Sequence, residues 1–193
     1  MKRESGGMFE FARTSAVDRS TVRRFIGVAS LMAASLAVAE VEAQEFRIVA
    51  IGASNTAGRG VGATHAWPAR LEALLRARGY DVRIVNAGIN GDDTNGMRAR
   101  LTETVPNGTR LVILDTTDTN DRRRGVNTKV NATAIVGELS KRGIRTIVVP
   151  SLHALSEMQL QGDGIHITAD GHGTIATRLS TKVIEHAGGA RRR

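Results

Sequence analysis

The stretch Phe46-Arg-Ile-Val-Ala-Ile51-Gly52-Ala53-Ser54-Asn-Thr-Ala-Gly58 decides the fold. A short β-rich run meets a glycine, and a serine follows on the turn. Such a strand-to-turn junction is one half of a βα unit. The next segment supplies the other half. Trp67–Arg78 carries Trp67, Leu71, Leu74 and Leu75 at helical spacing and stops at Gly79.

The rhythm then repeats. Val82–Val85 predicts a second strand, closed by Asn86-Ala-Gly88, and Thr94–Leu101 a helix. Leu111-Val-Ile-Leu114 predicts a third strand, apolar throughout, as a parallel strand covered on both faces should be. Asn131–Arg142 predicts a helix, Thr146–Val149 a fourth strand before Pro150, and Ala169–His186 a closing helix before Gly188-Gly189. Alternating strands and helices imply an α/β fold, a three-layer αβα sandwich around a small parallel sheet of four to five strands. Sheets of this kind bind ligands at the carboxyl ends of their strands, so the residues after each strand are where chemistry is sought.

Composition agrees with one domain. The chain has 193 residues, 41% of them hydrophobic, enough for a single core. Aromatics are 3%, so aliphatic side chains must fill that core, and a base-stacking nucleic-acid surface is not supported. The formal net charge of +8 is scattered, apart from Arg122-Arg123-Arg124 and Arg191-Arg192-Arg193, and no nucleic-acid motif accompanies it. No nucleic-acid partner is expected; weak contact of the arginine-rich surface with anionic lipid and the oligomeric state both stay open. The chain has no cysteine, which excludes disulfides, thiolate catalysis and cysteine metal sites.

Residues 1–43 read as a secretory signal. A basic, polar stretch precedes the uncharged run Ile26–Ala39, and Val41-Glu-Ala43 offers a small-residue cleavage pattern. Fourteen residues at about 1.5 Å each fall short of a bilayer core of roughly 30 Å. Cleavage after Ala43 would leave a catalytic domain over 44–193, periplasmic or secreted. The residues around Arg23-Arg24 fit twin-arginine export poorly, so general secretion is the expectation.

Four strand-end segments carry candidate chemistry. Ser54, between glycines on a strand-to-helix turn, can expose its hydroxyl and keep its backbone N–H free, as a nucleophile requires. Taken alone it fits a helix cap better than a nucleophile. After strand two, Gly91 can present a backbone N–H to a developing oxyanion; after strand three, the Asn120 amide can donate a second hydrogen bond. Near the end, Asp163 and His166 lie three residues apart. On one turn the carboxylate can accept from Nδ1 and leave Nε2 facing the nucleophile. His65, His153, His172 and His186 lack this carboxylate context and read as surface or core histidines.

In this order the four segments resemble the SGNH, or GDSL, hydrolase family. The blocks are Ile51-Gly-Ala-Ser54-Asn-Thr56, Asn86-Ala-Gly-Ile-Asn-Gly91-Asp-Asp-Thr94, Asp118-Thr-Asn120-Asp121 and Asp163-Gly-Ile-His166. Trp67-Pro-Ala-Arg-Leu71 and Val85-Asn-Ala-Gly-Ile89 look closest to its periplasmic thioesterase/lysophospholipase and arylesterase branch. The resemblance implies a flavodoxin-like fold and a serine hydrolase of carboxylic esters or thioesters. It implies Ser54 as nucleophile, His166 as base, Asp163 as its orienter, and an oxyanion hole of Ser54, Gly91 and Asn120. It implies no metal and no cofactor.

Three features depart from the family. Ala53 stands where an Asp normally precedes the nucleophile, and Asp118 replaces the glycine of the third block. The stretch between Asp121 and Asp163 is short, which predicts an open, shallow acyl site, or one completed by another subunit, and a broad, short-acyl substrate range. An alternative reading is a catalytically weakened relative that binds an acyl or glycan ligand.

Overall fold

A computed structural model describes residues 45–187. The predicted export signal lies outside the described residues. Four strands form one sheet: β1 (Phe46–Gly52), β2 (Val82–Gly88), β3 (Leu111–Asp115) and β4 (Arg145–Val149), in the order β2-β1-β3-β4 and all parallel. The helices are α1 (Ser54–Ala57), α2 (Trp67–Ala77), α3 (Thr94–Ala99), α4 (Leu101–Thr104), α5 (Thr119–Arg124), α6 (Thr128–Lys141), α7 (Leu152–Leu155) and α8 (Ala169–Ala187).

Side chains alternate across the pleat of β1 and sort into two cores. Phe46, Ile48 and Ala50 pack with Trp67, Leu71 and Leu75 of α2 and Ile175, Leu179 and Val183 of α8. Val49 and Ile51 pack with Met97, Leu101, Ile135 and Leu139 of α3, α4 and α6 on the opposite face. This is the expected three-layer αβα sandwich. Central β3 is buried at every position, whereas edge strands β2 and β4 alternate with exposed residues. Burial on both faces explains why Leu111–Leu114 reads as unbroken apolar sequence. Among the described residues no helix is long and apolar enough to cross a membrane.

Several boundaries differ from the sequence expectation. β2 continues past Val85 to Gly88, because Asn86, Ala87 and Gly88 stay paired with Ala50, Ile51 and Gly52. The predicted helix over Thr94–Leu101 is broken at Arg100, whose guanidinium turns back to Asp92. The third helical stretch begins at Thr128 rather than Asn131, because the Asn127 side chain accepts from Val130 N at 3.1 Å and caps it. Residues 119–124, to which the sequence assigned no helix, wind into α5 and stop at Gly125.

The strand order places the topological switch point between β1 and β3, where consecutive crossovers leave in opposite directions. Ser54 follows β1 directly and Thr116–Asn120 follow β3. The crevice predicted by the topology is therefore lined by two of the segments singled out by sequence.

Candidate active site

Ser54 is the first residue of α1, half-buried, with Ala53 before it at φ −99° and ψ −145°. Its N–H has no intrahelical acceptor at that position. Its carbonyl accepts from Gly58 N and Arg59 N at 3.0 Å, closing the turn beneath the hydroxyl.

The residues opposite come from a loop over 160–167. An antiparallel bridge between Leu160 and Ile167 closes it, with Gln161 N donating to His166 O at 2.6 Å. Gly164 turns the tip at φ 69°, a left-handed conformation that glycine adopts without steric cost. This bend lets one carboxylate oxygen, Asp163 Oδ1, accept from the backbone N–H of Ile165 and of His166, both at 2.9 Å. The other oxygen faces His166 Nδ1 at 2.5 Å. His166 Nε2 lies 3.1 Å from Ser54 Oγ. The structure thus joins Ser54, His166 and Asp163 in one hydrogen-bond relay. The hydrogen bond from His166 holds the Asp163 carboxyl well below the usual carboxylate range, and the two backbone N–H groups act in the same sense. His166 itself is 7% exposed, so its ring is shielded while its carboxylate partner faces solvent.

A pocket of about 260 Å³ opens over this relay, lined by Ser54, Gly91, Asn120 and His166 among others. Gly91 sits at φ 75° with open space on its Cβ side, so its backbone is accessible. Asn120 Nδ2 donates to Asp92 O at 2.7 Å, which ties α5 to the Gly91 loop. An amide carries two such hydrogens, so one is left over from this bond on a residue that lines the pocket. The structure brings all five sequence-predicted residues to one place.

Sequence reasoning missed the residues that hold these groups. Asn55, next to Ser54, grips the backbone on both sides of His166: Oδ1 accepts from Ile167 N at 3.0 Å, and Nδ2 donates to Ile165 O at 3.3 Å. His153, read as uninvolved, places Nε2 2.9 Å from the same Ile165 carbonyl and 3.3 Å from Asn55 Nδ2. Asp121 is buried and accepts from Thr94 N and Thr94 Oγ1, both at 2.8 Å, and from Thr128 Oγ1 at 2.5 Å. It locks α3, α5 and α6 together behind Gly91 and Asn120. Asp115, at the end of β3, is 1% exposed, and burial pushes its carboxyl up against the hydrogen bonds of Thr117 and Thr56. The sequence signals for them were that Asn55 adjoins Ser54 and that Asp121 closes the third block; His153 and Asp115 had none.

Asp118, which the sequence places beside the oxyanion donors, is turned away. It is half-exposed, pairs with Arg122 at 3.3 Å and is not among the residues lining the pocket. Ala53 packs against Val49 and Ile51 and also lines the pocket beside Ser54.

The fold and this relay define a class: a doubly wound α/β domain with Ser, His and Asp converging at its switch point. The sequence pattern of the GDSL-like Lipase/Acylhydrolase family matches residues 50–163, and the chain belongs to that family. The esterase TesA of Pseudomonas aeruginosa is 33% identical over 79 residues, which cover 41% of this chain and 39% of that protein. An arylesterase of Vibrio mimicus is 33% identical over 95 residues, 49% of this chain and 46% of the relative. The chain thus spans less than half the length of the curated relatives it matches. A crystal structure of TesA superposes with a TM-score of 0.64 at 22% identity, over 71% of this chain and 97% of that one, a likeness of fold.

Proposed function

We propose that the chain is a serine esterase that cleaves carboxylic esters or thioesters through an acyl-enzyme on Ser54. The observation that carries this reading is the relay from Ser54 Oγ to His166 Nε2 at 3.1 Å and from His166 Nδ1 to Asp163 at 2.5 Å. Ser54 Oγ attacks the acyl carbon and passes its proton to His166 Nε2. Asp163 fixes the tautomer with hydrogen on Nδ1 and stabilises the imidazolium. Ser54 N–H, Gly91 N–H and the Asn120 amide receive the oxyanion. Collapse of the tetrahedral intermediate expels the alcohol or thiol, which takes the proton from His166. Water then repeats the sequence and frees Ser54. The matched esterases support this chemistry. The solvent-facing position of Asp118 favours it over a ligand-binding relative, since no carboxylate there opposes the oxyanion.

The pocket of about 260 Å³ favours short acyl chains. Export to the periplasm, with cleavage after Ala43, is part of the same reading; N-terminal sequencing of the mature protein should start at Gln44. Fluorophosphonate labelling tests the mechanism. Wild type should label and Ser54→Ala should not. A folded, monodisperse wild type that stays unlabelled and hydrolyses no ester would overturn the proposal.

A further inference from the structure

The pocket over Ser54 is rimmed by cations. Arg59, Arg123 and Arg124 line it, from two sides: Arg59 from the loop after α1, the other two from α5. Arg124 is already engaged, donating to Gly91 O and to Asp93 Oδ2 at 2.8 Å each. Arg122, outside the pocket, is engaged by Asp118. Among the described residues, Arg59 and Arg123 have no carboxylate within ion-pair distance.

The carboxylates near the site do not offset them. Asp163 is committed to His166 and two backbone N–H groups. Asp115, at the pocket floor, is enclosed by Thr56 and Thr117, which occupy both of its oxygens. Two exposed guanidinium groups therefore face a cleft that holds the reacting serine.

Both arginines stand on fixed backbone. Arg59 N donates to Ser54 O at 3.0 Å, and Arg59 O accepts from Gln161 Nε2 at 3.0 Å, so the residue is tied to the nucleophile turn and to the His166 loop together. Arg123 rides on α5, which Asn120 and Asp121 pin to the neighbouring loop and helices. A guanidinium on an anchored base offers a planar fork suited to a carboxylate or phosphate. A cleft with one sign of charge also concentrates ligands of the other.

We infer that Arg59 and Arg123 make this site selective for esters that carry an anionic group, a carboxylate or phosphate, close to the scissile bond. The inference rests on the hydrolase reading and names its substrate class. The anion can sit on the acyl side or on the alcohol side, and the experiment separates the two.

The measurement is the ratio of kcat/KM for an anionic ester to that for a neutral one of equal length. The acyl-side pair is mono-4-nitrophenyl adipate and 4-nitrophenyl hexanoate. The alcohol-side pair is 4-acetoxybenzoate and its methyl ester. Intrinsic reactivity cancels when the ratio is compared between wild type and variant. Arg59→Gln and Arg123→Gln should each lower the ratio about tenfold for the pair whose anion they meet. About 0.5 M NaCl should lower it in wild type and leave the double variant insensitive. If the ratio is the same in wild type and double variant for both pairs, the inference fails while neutral-ester turnover keeps the hydrolase reading intact. If wild type hydrolyses neither member of either pair, both readings fall together.

Discussion

Replacing Asn55 with Ala isolates the positioning of the base from the base itself. The Asn55 amide spans the backbone on either side of His166, with 3.0 Å to Ile167 N and 3.3 Å to Ile165 O. Ile167 is fully buried, so its N–H would be left without an acceptor, at roughly 1–3 kcal/mol. The lost bond to Ile165 O adds about 0.5–1.5 kcal/mol, moderated because His153 remains 2.9 Å from that carbonyl. The variant should therefore lose about 2–4 kcal/mol and a Tm on the order of 5–15 °C. Activity should fall further than stability alone would carry it. If the loop relaxes by about 1 Å, the His166–Ser54 approach is lost and turnover drops on the order of 10²-fold. The fall belongs in kcat, since Asn55 forms no part of the relay itself. Stopped-flow assays with 4-nitrophenyl acetate, run well below the variant's Tm, read this directly. Asn55→Asp keeps an acceptor for Ile167 N and loses the donor, so it should lie between. A variant destabilised by 2–4 kcal/mol yet with kcat within about twofold of wild type would refute the reasoning. Asn55 would then be only a structural clamp.

Asp163→Asn should lower kcat by about 10³–10⁴-fold with the fold intact, because the amide favours the wrong tautomer of His166; circular dichroism and active-site titration check both halves. His172 is fully buried and accepts from Trp67 N at 3.2 Å, and burial, with Arg70 nearby, lowers its pKa from 6.5 to about 4. The unfolded chain binds that proton first, so stability should decline as pH falls from about 6.5 to 4, by roughly 3 kcal/mol in all. Buried Asp115, with its carboxyl pushed up, acts in the opposite sense, so the test is the difference in urea denaturation between wild type and His172→Gln, followed by the single tryptophan, Trp67. Asp121→Ala should cost on the order of 3–5 kcal/mol, since Thr94 N, Thr94 Oγ1 and Thr128 Oγ1 all lose their acceptor; an unchanged unfolding midpoint would count against that network.

The layers of the fold were legible because burial on both faces writes itself into sequence. Leu111–Leu114 has to be apolar to sit between two helical layers, and Trp67, Leu71 and Leu75 have to recur at helical spacing to cover the sheet. Boundaries were less legible where side chains rather than periodicity decide them. Asn86 pairs as strand although its type favours turns, because Asn86 Nδ2 donates to Thr56 O at 2.9 Å and Gly88 N donates back to Asn86 Oδ1 at 3.0 Å. At the site, Ser54, Asp163 and His166 stand out by chemical type. Asn55, His153, Asp115 and Asp121 do not, because their roles depend on partners far along the chain. Asn55 meets Ile165 and Ile167, and Asp121 meets Thr94; no local spacing encodes such pairs.

The two unusual residues beside the serine have different consequences. Ala53 packs beside Val49 and Ile51 and also lines the pocket, so its methyl group leaves the pocket wall next to Ser54 apolar and uncharged. The buried carboxylate nearest the nucleophile turn comes instead from the neighbouring strand: Asp115 reaches Thr56 Oγ1 at 2.9 Å, two residues past Ser54. Gly52 allows this contact, because a Cβ there would lie 2.2 Å from Thr56 Oγ1 and 2.8 Å from Asp115. The strand end and the turn are thus fastened from β3 rather than from the residue before the serine. Asp118 in turn spends its charge on Arg122 at the surface, leaving Arg123 one position further on to face the pocket. A substitution that would bring a negative charge toward the oxyanion therefore leaves the electrostatics of the pocket positive, which suits both the transition state of acyl transfer and an anionic ester.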